Sequence, residues 1–219
     1  MNVLVPLLVA AATTCPVPKD SALVGMWEGR NTSRGGIGNV VEFRGDGTVV
    51  QTITVIVNLS YAVSGDQLMI ASTPGGKPAP ETATRFKADA VTFIRYGADG
   101  SELPAARIGS PVAGASAIVG SWRYRHYTGA TAFEHYTLGG SLALRVPMKA
   151  SVNCYDIDSA TRTVTISTVN GKQPRQFDLA GDELRLTSGK NTRDYGRAEW
   201  GNWYDIEHID YVPPKEPAK

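Results

Sequence analysis

His126, His135 and His208 are the only imidazoles in the sequence. A three-histidine zinc site would need all of them to converge. His135 follows Glu134 and His208 follows Glu207, and on a strand adjacent side chains point to opposite faces. Neither dipeptide can serve as a local carboxylate–imidazole pair, so no metal site is expected. The stretch "SWRYRHY", residues 121–127, says more. Alternation puts Trp122, Tyr124 and His126 on one face and Arg123 and Arg125 on the other. Tyr124, His126 and Glu134 drawn together around open space would be acid–base chemistry. The same face turned inward would equally be the aromatic, polar-tipped lining of a cavity. No G-x-S-x-G or H-E-x-x-H motif occurs, and "RGGIG" at 34–38 is a loop between strands, not a phosphate cradle opening a helix. The chain is expected not to be an enzyme and to take no cofactor.

The elements that must position these residues are short strands. The 219 residues are 42% hydrophobic, with 23 glycines and 13 prolines punctuating segments rich in Val and Thr. Twenty-two basic and 21 acidic residues leave a net charge of +1 without runs of either sign. A nucleic-acid partner is therefore excluded, because phosphate binding needs a basic patch. Leu142, Leu144 and Val146 alternate with Ala143 and Arg145, Leu184 and Leu186 flank Arg185, and Val49, Ile53, Val55, Val57 and Leu59 share a face. Such a period of two means strands with one buried and one wet face, as in antiparallel meanders.

The sequence also repeats itself. "LVGMW" at 23–27 returns as "IVGSW" at 118–122, placing Trp27 and Trp122 95 positions apart. Phe43 precedes Gly47 by four residues, as Tyr136 precedes Gly140. Tyr61 follows Gly47 by 14 and Tyr155 follows Gly140 by 15, each expected to open a strand and to pack rather than react. Landmarks in one order at one spacing indicate a duplication. The first copy runs from 23 to 96 and the second from 118 to 211. Residues 97–117, rich in Gly, Ala, Ser and Pro, are expected to be a linker, and 212–219 a proline-rich tail. "EWGNWYDIEHIDYV", 199–212, is expected to be a closing strand with a bulge, with a surface aromatic patch for a partner as the alternative.

At the N-terminus "VLVPLLVAAATT" is too short to span a bilayer and suits the apolar region of an export signal, so 1–15 is expected to be a signal segment. Cys15 after Ala12-Thr13-Thr14 resembles the end of a bacterial lipobox, with Thr14 in place of the usual small Gly or Ala. That makes Cys15 a candidate for lipidation and a lipid anchor the only expected membrane contact. Cys15 and Cys154 could pair in an oxidising compartment, but Cys154 is expected to be buried and unpaired.

Gly25-Met26-Trp27 and Gly120-Ser121-Trp122, followed by an aromatic and the turn Asp46-Gly47-Thr48 (Gly139-Gly140-Ser141 in the second copy), resemble the lipocalin-like domains of bacterial exported proteins, within the calycin group of up-and-down barrels. The resemblance implies that each Trp packs across the closed end of a barrel under an Arg from a late strand, with Arg95 and Arg193 or Arg197 in about the right places. The expected fold class is all-β: two tandem antiparallel up-and-down β units, small lipocalin-like barrels, with one larger barrel as the alternative. The expected function is non-catalytic binding of a small apolar or amphipathic molecule by an exported protein, periplasmic, secreted or envelope-anchored. The alternative is a cell-envelope structural or interaction module without a small ligand. Candidate ligand-binding residues are Trp27, Gly29, Phe43, Trp122, Tyr124, His126 and Tyr136. On the first strands Gly29 and Asn31 share the face of Trp27 where Tyr124 and His126 share that of Trp122, so the two copies are expected to differ in what they hold.

Overall fold

The structure, a computed structural model, describes residues 15–72, 82–127 and 129–198, and every helix or strand in them is a strand. The strands are β1 (Gly25–Gly29), β2 (Ile37–Phe43), β3 (Thr48–Ser64), β4 (Gln67–Ser72), β5 (Thr82–Ala88), β6 (Thr92–Tyr96) and β7 (Glu102–Ile108). The sequence of elements then continues with β8 (Gly120–Arg125), β9 (Thr131–Tyr136), β10 (Ser141–Asp158), β11 (Thr163–Thr168), β12 (Gly171–Ala180), β13 (Glu183–Ser188) and β14 (Asn191–Arg197). The segment 199–212 lies outside the described residues, as does His208.

All neighbours pair antiparallel, and the 14 strands close into one ring in which β1 meets β14. One further pairing crosses that ring: β3 runs against β10 from Thr48 opposite Cys154 to Ser60 opposite Ser141. The crossing divides the ring into two closed circuits of eight strands that share β3 and β10. The first circuit contains β1, β2 and β11 to β14, and the second contains β4 to β9.

The exchange follows from strand length. β3 is 17 residues and β10 is 18, each about 55–60 Å if extended at roughly 3.3 Å per residue. That is too long for one small circuit. Residues 48–64 contain neither Gly nor Pro, so nothing turns the chain back. On one edge β3 meets β2 over Val49–Val55 and then β4 over Leu59–Ser64. β10 behaves likewise with β9 and β11, and it absorbs Pro147 where its register against β3 shifts. The expected boundaries 23–96 and 118–211 are therefore not those of the circuits, each of which draws on both halves of the sequence. Tyr61 and Tyr155 lie within the long strands instead of opening them.

Each circuit holds its own apolar core. Leu23, Trp27, Phe43, Tyr155, Val164, Leu184 and Tyr195 fill the first, and Leu68, Phe93, Ile118, Trp122, Tyr136 and Leu142 the second. Packing repeats contact for contact. Trp27 Nε1 donates to Leu23 O at 2.8 Å and Trp122 Nε1 to Ile118 O at 2.7 Å. Tyr155 Oη donates to Arg44 O at 2.9 Å, and Tyr61 Oη to Thr137 O at 2.6 Å. Phe43 meets Tyr155 edge-on with centroids 5.0 Å apart, as Tyr136 meets Tyr61 at 5.0 Å. Because Tyr61 and Tyr155 sit beyond the crossover, each tyrosine serves the circuit begun by the other half of the chain.

The arginine expected over each Trp is present, with one correction. Arg197 lies over Trp27 with its Cζ 4.2 Å from the ring centroid, while Arg193 is exposed. Over Trp122, at 4.0 Å, lies Arg107 and not Arg95. Arg107 belongs to β7, inside the 97–117 segment expected to be a linker. The Ala- and Pro-containing run "ELPAARI" hid a strand because Pro104 and the small residues dilute its alternation.

Two further readings change. Ile53 is 43% exposed, while Thr52 and Thr54 on the opposite face are buried. Val50, Thr52, Thr54 and Ile56 are buried and Gln51, Ile53, Val55 and Val57 are not, so the period of two holds here but buries the opposite face of β3. Arg145, expected on a wet face, is buried and clasps Glu28 bidentately, Nε to Oε2 at 2.6 Å and Nη2 to Oε1 at 2.8 Å. Nearby, Met26 and Val40 of the first circuit pack with Phe133 of the second. These contacts join the circuits.

Cys154 is not unpaired: Cys15 and Cys154 form a disulfide with Cα atoms 5.2 Å apart, linking positions 139 apart in sequence. The bond occupies the sulfur that a lipid thioether would need. The exchange of β10 into the first circuit is what brings residue 154 to the segment preceding β1. Pro16 and Cys15 lie against Gly47, whose φ of +84° and lack of a Cβ permit the approach.

Candidate functional site

The site grows from the alternation of β8. Trp122 is wholly buried at the closed end of the second circuit, and Tyr124, two residues on, faces the same interior nearer the other end. Beside Tyr124 lie Ala105 of β7 and Ala132 of β9. Glu134 of β9, directly opposite Trp122 in the ladder, is only 2% exposed. Such a carboxylate needs partners: Arg95 Nη1 donates to its Oε1 at 2.8 Å and Tyr136 Oη to its Oε2 at 2.8 Å. Arg95 comes from β6, where Phe93 faces the core and Arg95, one pleat along, faces the same interior. Its Cζ lies 4.7 Å from the centroid of Tyr124 and 5.6 Å from that of Phe93. Arg95 Nε is buried without a hydrogen-bond acceptor.

Above this cluster opens a cup of about 700 Å³. Arg95 and Tyr124 form its floor, Leu103 and His126 stand beside them, and Arg85, Tyr96, Arg125 and Tyr127 border its rim. Among the described residues no carboxylate lines it. Asp99, in the turn between β6 and β7, instead accepts from the Ser101 amide at 3.0 Å. Among the described residues neither Arg85 nor Arg125 forms an ion pair, and the Arg85 guanidinium is stacked 4.9 Å from the centroid of Tyr96.

Burial shapes the protonation of the cluster. It opposes the charge on Arg95, but Glu134 followed by Tyr136 and Tyr124 overcomes this, and the guanidinium is held protonated above its ordinary value. Burial, then the Glu134 charge, pushes the Tyr124 hydroxyl up to about 12 and that of Tyr136 well above its usual range. Burial lowers the His126 imidazole below 6.5, with Glu134 opposing and Arg95 adding to the shift. Near neutral pH the floor is therefore an ion pair ringed by neutral tyrosines, and the wall carries a neutral imidazole.

The seven expected ligand residues separate clearly. Tyr124 and His126 meet at the cup. Trp27, Phe43, Trp122 and Tyr136 are sealed in the two cores. Gly29 borders a different cavity, of about 1140 Å³, with Glu28, Arg145 and Arg197. As the alternation implied, Glu134 and His135 point to opposite faces, His135 Nδ1 meeting Ser121 Oγ at 2.8 Å. Among the described residues no group of three or more His, Cys, Asp or Glu side chains could hold a metal ion.

Arg95 and Glu134 are the residues that the candidate set lacked. The signal for them was the repeat itself. Glu134 is paired with Trp122 as Val41 is with Trp27, and Arg95 with Phe86 as Leu186 is with Phe177. The first circuit closes an apolar core with Val41, Leu186 and Gly29 where the second has Glu134, Arg95 and Tyr124. Comparison of the chain with family models, with curated proteins and with solved structures finds no match.

Proposed function

We propose that the protein is an exported, non-catalytic binding protein of lipocalin-like design that holds a small amphipathic molecule in the cup of the second circuit. The observation that carries this reading is the meeting of Tyr124, His126 and Arg95 at an open cavity of ligand size. The repeat supplies an internal control. Replacing well-packed apolar residues by a buried ion pair does not by itself favour folding, and the first circuit has an apolar core at the same positions. The polar floor therefore answers to something other than stability.

A catalytic role fits less well. Both Glu134 oxygens already accept from Arg95 and Tyr136, and Tyr124 stays protonated near neutral pH. Export is in keeping with the Cys15–Cys154 disulfide, since such bonds persist in oxidising compartments. The test is calorimetric titration with a panel of compact amphipathic molecules against the wild type, Tyr124→Leu and His126→Gln. Saturable binding weakened in both variants, with melting temperatures retained in at least one, is expected. Binding unaffected by both variants, or no saturable binding, would overturn the reading and leave the envelope module.

A further inference from the structure

We infer that this chain pairs with a second copy of itself by exchanging halves, so that residues 15–108 of each chain complete residues 118–198 of the other. The exchanged pair holds two copies of each circuit, and therefore two cups, in one particle.

Topology is the first observation. The first half of the sequence carries β1 to β7 and the second half β8 to β14. Each half is divided between the circuits. From the first half, β1 and β2 lie in the first circuit and β4 to β7 in the second. From the second half, β8 and β9 lie in the second circuit and β11 to β14 in the first. Neither half closes a ring alone, because β1 pairs with β14 and β7 with β8. Among the described residues these two ladders and the long β3–β10 ladder join the halves. This is the architecture of an element-swapped dimer held within one chain.

The connection is the second observation. The stretch 109–117 links β7 to the buried Ile118, and its first six residues, 109–114, are exposed. Structural contacts begin only at Ala115, which packs on the second core, and at Ala117 O, which accepts from Arg107 Nη2. The ladders themselves are the same whether the halves they join belong to one chain or to two. What favours one chain is nearness, since a short connector gives an effective concentration on the order of 1 mM.

Divergence of the repeats is the third, and it decides which halves meet. Glu28 follows Trp27 where Arg123 follows Trp122, and Thr52 stands five residues after Gly47 as Arg145 does after Gly140. The bidentate Glu28–Arg145 pair therefore joins unlike halves. Two second halves would set Arg123 against Arg145, like charge against like, and two first halves would set Glu28 against Thr52. The Cys15–Cys154 bond also joins unlike halves. In the exchanged pair each Cys15 meets Cys154 of the other chain.

That bond is the readout. A mixture of unlabelled and 15N-labelled full-length chains is reduced, unfolded in urea and refolded with oxidised glutathione, at chain concentrations from about 10 µM to about 1 mM. Each Cys15–Cys154 bond forms as two thiols give up two electrons and two protons, and the oxidant leaves as two molecules of reduced glutathione. Covalent dimer on a non-reducing gel should rise from about one chain in a hundred to about half. Peptide mass spectrometry should find Cys15 of one isotope joined to Cys154 of the other. Deletion of the exposed residues 110–114 should make the dimer the main form already at about 10 µM. The wild-type series decides by itself: monomer at every concentration, or Cys15–Cys154 peptides all of a single isotope, overturns the inference. A shortened chain that folds as a monomer also overturns it.

Discussion

Arg95 donates to Glu134 across 2.8 Å inside the second circuit, at two positions where the first circuit carries Leu186 and Val41. An ion pair in such a place is fragile to half-removal and tolerant of full replacement. Arg95→Leu or Glu134→Val alone leaves one buried charge unmatched and should cost about 3–5 kcal/mol. The double variant, which copies the first circuit, should restore most of that loss or exceed wild-type stability. Urea melts of the four proteins check this, and a double variant as unstable as the worse single one would count against the interpretation.

Arg107 closes the other end of the same circuit. It lies over Trp122 and donates from Nε to Ala90 O at 2.7 Å and from Nη1 to Val119 O at 2.9 Å. Arg107→Ala strips the stacked cation and leaves those carbonyls to water, and a loss of about 1–3 kcal/mol is expected. Arg107→Lys should recover little, because a point charge cannot bridge several carbonyls in a plane. Arg197→Ala should be milder, since over Trp27, among the described residues, its side chain makes a 3.3 Å bond to Val24 O and an exposed pair with Asp182. Chemical denaturation followed by tryptophan fluorescence measures all three.

The disulfide makes a prediction about mass and about stability. Intact mass spectrometry under non-reducing conditions should find no free thiol among the two cysteines, and no lipid on Cys15. Reduction, or Cys15→Ser with Cys154→Ser, should lower stability by roughly 2–5 kcal/mol, given how long a loop the bond closes. Unchanged melting with reductant would mean that the bond does not hold the leading segment onto β10.

His126 gives the fold a pH slope. Its pKa in the folded protein lies below the ordinary 6.5, so between the two values the unfolded chain binds more protons. Its contribution to stability is present above 6.5 and is lost as pH falls through the folded value. An NMR titration should give a midpoint below 6.5, and His126→Asn should flatten the dependence of stability on pH in that window. The charged groups that act on it are Glu134, which opposes the shift, and Arg95, which adds to it.

Much of this architecture was legible in residues. Trp27 and Trp122 declared the repeat because each bonds a carbonyl four residues back and needs the same short motif to do so. Alternation in β8 correctly turned Tyr124 inward with Trp122. The exchange of long strands was not legible: nothing local distinguishes a strand that folds back from one that crosses over, although the unbroken run 48–64 was a hint. Without the exchange, Cys15 and Cys154 had no reason to meet. Arg107 was masked by a linker-like composition, and the Arg95–Glu134 pair emerges only when each residue is set against its apolar counterpart in the other half.

The central claim is that the second circuit, and not the first, receives a ligand. The most direct measurement is a set of amide and side-chain NMR spectra of the protein titrated with 2-naphthoate, a compact amphipathic molecule. The account predicts saturable shifts confined to residues 83–85, 95–103 and 124–127, with the first circuit around Gly29, Val41 and Leu186 unmoved. Saturable shifts centred on the first circuit, or no saturable shifts in either, would contradict it.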